Sequence, residues 1–453
     1  MAQPDRGHAA PGHGRIHRRQ DRRRELLARV PRDMRIAAAA SPGPDERIAV
    51  IGAGIVGACI AHALRRRGAD VVLIDRDEPG RGCSFGNLGA ISMSSVAPLA
   101  MPGVLASLPG MLRDPESPLF LPLAYLPRAL PWLLRFLASA RAAKIAQASR
   151  TLARLHAGAV TAHQALAREV GVPELILQRG QLHLYPDRRA HAQDQAAWRL
   201  RASHGLPFTL LDRPGILELE PHVGKRYTVG VFLPDDGTIL NPLRYVQAIV
   251  RAFAARGGEV RRDEVRGLAR GAEGWELISA RGGERFSRVV VAAGAWSTRL
   301  LDPLGIRLPL ESQRGYHAQF PGCAGLVSRS VVLADRKIFL APMEDGLRVG
   351  GTVEIAGLDR PPDMRRAHLL EHIVRAHFDG LHGATATHWM GHRPCMPDSL
   401  PVIGPAAEPG LWLAVGHGHL GMTDSVNTAR RIADGMLGPH AEPSLLPQPD
   451  PRI

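Results

Sequence analysis

Apolar and polar positions change period several times along this chain, and the changes mark its elements. Arg47-Ile-Ala-Val-Ile51 is an uninterrupted apolar run of strand length, and Val71-Val-Leu-Ile74 is a second. Such runs are the pattern of parallel strands buried on both faces. The stretch between them carries apolar residues at helical spacing. Gly180-Gln-Leu-His-Leu-Tyr185, Glu259-Val-Arg-Arg and Trp275-Glu-Leu-Ile-Ser read as further strands, the last two joined through Gly271-Ala-Glu-Gly274. Val289-Val-Val-Ala-Ala293-Gly294 is a central strand delivering its end to a glycine turn, and Leu347 to Glu354 alternates as an antiparallel strand does. Residues near 98–131 are apolar but interrupted by prolines. Pro131 suits the first position of a helix continuing toward Lys144, and helical pattern then persists to about residue 170. Asn241-Pro-Leu-Arg opens a capped helix, and Gly82 to Gly89 is a loop of small residues. The alternation predicts an α/β fold, α+β overall.

Composition narrows the picture. The 453 residues suffice for two domains; 45% hydrophobic and 22% charged content is ordinary for a globular protein. A net charge of +14 raises nucleic acid as a partner. Nearly all of that charge is arginine, with lysine only at 144, 225 and 337, and aromatic content is 5%, so no nucleic-acid role is expected. Cys59, Cys83, Cys323 and Cys395 are scattered, with no C-x-x-C and no histidine at ligand spacing, so no metal site is expected. No run of eighteen apolar residues predicts a membrane span. Residues 1–46, with His17-Arg-Arg-Gln-Asp-Arg-Arg-Arg-Glu25 and the linker Ser41-Pro-Gly-Pro44, read as a disordered basic arm. A twin-arginine export signal needs a longer apolar stretch than Ile36-Ala-Ala-Ala-Ala40, which points to a cytoplasmic protein. Residues 441–453 read as a tail.

Chemistry begins between the first two strands. Gly52-Ala53-Gly54-Ile55-Val56-Gly57 is a G-x-G-x-x-G turn opening a helix, and Asp75 closes the second strand. Gly52 permits the turn, Gly54 lets a pyrophosphate approach, Gly57 lets helix and strand pack closely, and Asp75 accepts from a ribose hydroxyl. The helix presents unpaired N–H groups and the positive end of its dipole to the phosphates. A dinucleotide site follows, of a kind the turn does not specify.

Three later stretches specify it. They are Val290-Val-Ala-Ala-Gly294-Ala-Trp296, Gly391-His-Arg393-Pro-Cys-Met-Pro397-Asp398 continuing to Gly404, and Gly416-His-Gly418-His-Leu-Gly421-Met-Thr423. With the N-terminal turn, these resemble the D-amino-acid-oxidase superfamily of FAD-dependent amine oxidoreductases from about Arg47 to Gly438. Ser84-Phe-Gly-Asn87-Leu-Gly89 and Arg314-Gly-Tyr316 look most like its bacterial D-amino acid dehydrogenase branch. The resemblance implies a Rossmann-like FAD-binding domain (47–98, 205–300 and 388–440) interleaved with a substrate domain on a mostly antiparallel sheet (99–204 and 301–387).

It also implies roles. FAD would lie along Gly52 to Gly57. Asp75 and Arg76 would hold its ribose, Val265 would flank adenine, and Ser84, Asn87 and Gly89 would line pyrophosphate and flavin. Ala293, Gly294, Trp296 and Gly391 would close over it. Gly418, His419, Leu420, Gly421 and Thr423 would present N–H groups to the flavin pyrimidine. Arg393 would clamp the substrate carboxylate, since a planar guanidinium binds it in a bidentate fork. Tyr316 would bring a hydroxyl near the substrate, and Lys337 matches a lysine of the dehydrogenase branch. Arg336 stands where that branch has tyrosine. The implied reaction is oxidative deamination of a D-amino acid, D-proline or hydroxy-D-proline included, by hydride transfer from Cα to flavin N5. Electrons would pass to a respiratory quinone or another acceptor that is not oxygen. Pro131 to Lys144 reads first as an apolar helix packed in the substrate domain, and alternatively as a peripheral contact with the inner face of the cytoplasmic membrane, its basic residues reaching lipid headgroups. Cys395 raises covalent attachment of FAD, but its spacing to Pro397-Asp398 differs from that of sarcosine-oxidase relatives, so non-covalent binding is expected. A glycine- or sarcosine-oxidase-like enzyme using oxygen is the alternative, and a tRNA-modifying FAD protein a remoter one.

Overall fold

The computed structural model describes residues 46–101, 110, 117, 119–378 and 380–439; the basic arm up to residue 45 and the tail lie outside them. Two sheets organise this part of the chain. The first has six strands, in spatial order Glu259–Arg262, Asp70–Asp75, Arg47–Ile51, Arg288–Val291, Leu411–Val415 and Val402–Pro405. The first five are parallel and the last is antiparallel. Alternation along Arg47–Ile51 divides its side chains between two cores. Ile48 and Val50 pack toward the helices Ile55–Arg66, Pro242–Ala255 and Gly421–Leu437. Ala49 and Ile51 pack toward a three-stranded antiparallel sheet through Leu268, Trp275 and Phe286. An apolar run without polar relief is what a strand covered on both faces requires.

The second sheet has ten strands. Its path runs from Leu119–Phe120 through Val353–Ile355, Glu311–Pro321, Gly346–Gly350, Ile338–Met343, Ser330–Leu333, Gln181–Tyr185 and Val229–Leu233 to Thr209–Leu211. Thr387–Cys395 pairs with Glu311–Pro321 over nine positions. All pairings are antiparallel except Ser330–Leu333 with Gln181–Tyr185 and Leu119–Phe120 with Val353–Ile355. One face is packed by the helix Arg365–Arg375 over Tyr316, Ala318 and Phe320.

Several expected boundaries move. Thr209–Leu211, Val229–Leu233 and all of Thr387–Cys395 but its first residue fall in the segments expected for the dinucleotide domain (205–300 and 388–440), yet all three strands belong to the second sheet. The helix Ala159–Glu169 leaves the expected substrate segment 99–204 and packs into the core beneath Ile48 and Val50. Pro131 lies inside the helix Leu126–Ser139, which begins a turn earlier with Pro127 in its first turn. The strand expected from Leu347 to Glu354 breaks in two at Gly351, whose φ of 145° takes the chain out of the ladder. Between Glu259–Arg262 and Trp275 lies an extra strand, Val265–Gly271, too polar on its exposed side to stand out in the pattern. Asn241 caps Pro242–Ala255 as expected, its side chain accepting from the Arg244 N–H at 3.0 Å.

Candidate active site

The turn after Arg47–Ile51 is shaped by contacts that only glycine allows. Gly52 has φ of 108°, and a Cβ there would overlap the Ala292 carbonyl. A Cβ on Gly57 would overlap the Gly52 carbonyl. The helix Ile55–Arg66 has no side-chain cap and no acidic residue in its first turn. The Ile55 N–H donates to Ser84 Oγ at 2.9 Å, tying the small-residue loop to this turn. Asp75 Oδ2 accepts from the Ala53 N–H at 2.6 Å, and Oδ1 from the Asp77 N–H at 3.0 Å. Burial raises the Asp75 carboxyl above its usual range, and these N–H groups oppose that rise.

A cleft of about 440 Å³ opens over this turn. Gly52, Gly54, Ile55, Val56, Asp75, Arg76, Ser84, Asn87, Val265, Ala293, Gly294, Trp296, Gly418 and Gly421 line it, so most residues expected around a dinucleotide converge there. At its mouth the Arg76 guanidinium lies 4.3 Å from the Trp296 ring, and Trp296 meets His392 edge-on at 5.1 Å. The far wall is the start of the helix Gly421–Leu437, again without a side-chain cap. Two helix starts on one cleft, neither capped by its own N-cap side chain although Ser84 takes the Ile55 N–H, suit a ligand with a diphosphate at one end and developing negative charge at the other. Together with the glycine-lined turn and Asp75, they fit FAD.

Other expected contacts are spent inside the protein. A Cβ on Gly89 would overlap the Ile239 carbonyl, so that glycine serves packing. Thr423 Oγ1 accepts from the Ser92 N–H at 3.0 Å and donates to the Ala90 carbonyl. Leu420 is buried. Gly391 carries the Trp389 indole, which a Cβ would overlap. His419 is exposed, though desolvation and then the Arg393 charge push it down to about 4.

Arg393 stands on a floor of glycines. Antiparallel pairing sets Gln313 opposite Arg393, Gly315 opposite Gly391 and His317 opposite Trp389, and paired residues share a face. The guanidinium lies over Gly315, where a Cβ would overlap it. Nη1 donates to the Thr352 carbonyl at 2.9 Å, and among the described residues no carboxylate pairs with Arg393. Its charge reaches Cys83 in the cleft wall, as well as Cys395 and His419. Trp389 closes the other end, stacked on His317 at 5.2 Å and edge-on to Phe85 at 5.9 Å. The loop of Phe85 is pinned by Arg348, which donates to the carbonyls of Phe85 (2.8 Å) and Asn87 (2.6 Å), and by His317 Nδ1 to the Gly86 carbonyl at 3.0 Å.

Alternation corrects the expectation for Tyr316. It falls between Gly315 and His317, so its side chain enters the opposite face, buried in the core beneath Arg365–Arg375. Its hydroxyl donates to Glu354 and accepts from the Asp363 N–H at 2.9 Å, which leaves nothing for a substrate beside Arg393. Lys337 lies in the turn before Ile338, with φ of 53°, and its ammonium is exposed 3.6 Å from Asp194. Gly315, Thr352, Trp389, His317 and Arg348 escaped sequence reasoning. They come together through long-range pairing, Gly315 opposite Gly391, Arg348 bonded to Gln319 29 residues away and Thr352 to Arg393 41 residues away, and nothing local encodes it.

Comparison with known proteins agrees with this geometry. The family described as FAD dependent oxidoreductase matches residues 47–435. A protein of Bradyrhizobium diazoefficiens named D-amino-acid oxidase is 38% identical, over 88% of this chain and 97% of its own. One of Ralstonia nicotianae named D-amino acid dehydrogenase 2 is 35% identical over 86% and 96%. Among solved structures, glycine oxidase from Geobacillus kaustophilus superposes with a TM-score of 0.68 at 21% identity, covering 87% of this chain and 96% of its own.

Proposed function

Because this chain belongs to the family of FAD-dependent oxidoreductases, we propose that it oxidises a D-amino acid to an imino acid, which water hydrolyses to a 2-oxo acid and ammonium. FAD held in the cleft would supply the two-electron acceptor for the hydride leaving Cα. The observation that carries this reading is Arg393, an arginine without a carboxylate partner among the described residues, laid flat on Gly315 beside the cleft. One of its N–H groups is engaged by Thr352; the others are left to receive a substrate carboxylate and so fix the orientation of Cα. Trp389 bounds the space in which a side chain would sit. His419, held neutral by its surroundings, adds no positive charge near the amine, which must be neutral for its lone pair to form the C=N bond as the hydride leaves.

Non-covalent binding of FAD is favoured by Cys395. Burial pushes its thiol up to about 12, so no thiolate is at hand for attachment. Acid precipitation should leave the yellow colour in the supernatant. The acceptor after FAD is proposed to be a membrane quinone, in line with the dehydrogenase relatives; hydrogen peroxide formation in stoichiometric yield would instead favour oxygen, as the name of the Bradyrhizobium relative suggests.

The decisive experiment is Arg393→Ala. The variant should retain its flavin spectrum and lose kcat/KM on D-amino acids by about two orders of magnitude, the roughly 3 kcal/mol of a paired charge-assisted contact. Unchanged turnover would sink the assignment.

A further inference from the structure

We propose that His368, Glu371 and His388 form a divalent transition-metal site, of the class that takes zinc, joining the helix Arg365–Arg375 to the strand that carries Arg393. His368 and Glu371 are three apart on that helix and so project from one face. His388 comes from the start of Thr387–Cys395. Three candidate ligand atoms, one from each residue, all lie within 4.8 Å of one another. Glu371 Oε2 is 2.9 Å from His388 Nε2 and 3.8 Å from His368 Nδ1, and the two imidazole centroids are 4.1 Å apart.

These separations suit one ion. A tetrahedral zinc with nitrogen and oxygen ligands at about 2.0–2.1 Å has ligand-to-ligand edges of about 3.4 Å. The two edges to Glu371, 2.9 and 3.8 Å, fall on either side of that value, and the third, between the histidines, is under 4.8 Å, so small side-chain adjustments would bring the three ligands onto one ion. It would replace the present Glu371–His388 hydrogen bond. Two imidazoles and one carboxylate select zinc, copper or nickel over calcium or magnesium, which prefer all-oxygen shells. His368 is 62% exposed, which gives the ion an entry path and leaves the fourth position to water.

The surroundings orient the carboxylate as metal sites require. Glu371 Oε1 accepts from Arg375 Nη2 at 2.7 Å and Nε at 3.1 Å, while Arg375 is anchored by the carbonyls of Leu381 and Ala384. Glu371 is thereby fixed with Oε2 turned to the histidines, the role of an outer-shell partner. Arg375 also sets a positive charge nearby, which weakens the site for any ion that imidazole nitrogen does not hold strongly. The ion would fasten His388, whose neighbour Trp389 walls the space beside Arg393.

The test uses untagged, FAD-loaded full-length protein, stripped with chelator and titrated with zinc chloride by calorimetry. The expected result is one high-affinity zinc per chain and a higher melting temperature at one equivalent. His368→Ala, on an exposed side chain, should weaken that binding at least tenfold and abolish the thermal shift while the flavin spectrum stays intact. His388→Gln should do the same. Equal zinc affinity and stoichiometry in the wild type and His368→Ala, or no zinc bound by the wild type, would overturn the proposal. Neither outcome depends on the identity of the amino-acid substrate.

Discussion

The proposed role of Arg393 hangs on a single hydrogen atom, the one that stands in place of a side chain on Gly315. Gly315 has backbone angles open to any residue, so replacing it by alanine imposes no left-handed strain, yet the added methyl would occupy the space of the guanidinium. Gly315→Ala is therefore expected to fold, to keep FAD, and to raise KM for D-amino acids at least tenfold, as a milder form of Arg393→Ala. Steady-state kinetics with a spectrum of bound flavin would check it; an unchanged KM would mean that the arginine does not use that floor. The places of Arg393 beside the cleft and of Asp75 in its lining were legible in the sequence because their motifs are local. Gly315, Trp389 and Thr352 were not, since each matters only through a partner strand or hairpin. Tyr316 misled for the same reason: one step along a strand reverses the face.

The helix Leu126–Ser139 and the 3₁₀ turn before it carry an apolar stripe that nothing covers among the described residues. Leu123, Leu126, Leu130 and Leu134 are exposed at helical spacing, Leu123 to 83%. Arg128, Arg135, Arg141 and Lys144 are exposed alongside, and from Ser117 to Arg168 the chain has no acidic residue. An apolar stripe with basic flanks has the pattern of a helix that lies on an anionic lipid surface, which supports the proposal of a peripheral membrane contact. No helix of the described residues is long and apolar enough to cross a membrane. Leu130→Ser with Leu134→Ser should lower co-sedimentation with phosphatidylglycerol vesicles about tenfold or more, while leaving turnover with a soluble dye acceptor alone. Equal sedimentation of both proteins would remove this helix from the membrane proposal. The apolar pattern here was visible from sequence, but which side of the helix remains bare is settled only by Ala129 and Trp132 taking the core.

At the scale of the whole molecule, buried histidines set the response to acid. Desolvation lowers His156 and His317 to about 3 and His163 and His417 to about 4. His163 Nε2 donates to the Met422 carbonyl, and His417 pairs with Thr428. All four stay neutral in the folded state while the unfolded chain takes up protons below its ordinary value of 6.5. Stability therefore falls as pH drops from about 6.5 toward 4, by about 2 kcal/mol per histidine at pH 5. Asp236 runs the other way, since burial raises it to about 6 and it gains a proton first when folded. Asp424, raised by burial and 3.3 Å from His156, does likewise. The net expectation is a loss of a few kcal/mol between pH 7 and pH 5, read as a lower urea midpoint; a higher midpoint at pH 5 would contradict it. The sequence shows twenty histidines but not which are entombed, because burial is assigned only when both sheets have closed.

The order of strands in the first sheet also governs how the protein can be made. Arg47–Ile51 is among the first strands to leave the ribosome, yet one of its two neighbours is Arg288–Val291, and the sheet is finished only by Leu411–Val415. Its early strands must wait, apolar on both faces and unpaired on one edge, until most of the chain has been translated. The loop 416–421 that walls the cleft emerges later still. Enclosure of the cofactor is thus a late event in biosynthesis, and FAD is in no position to hold the early strands while they wait.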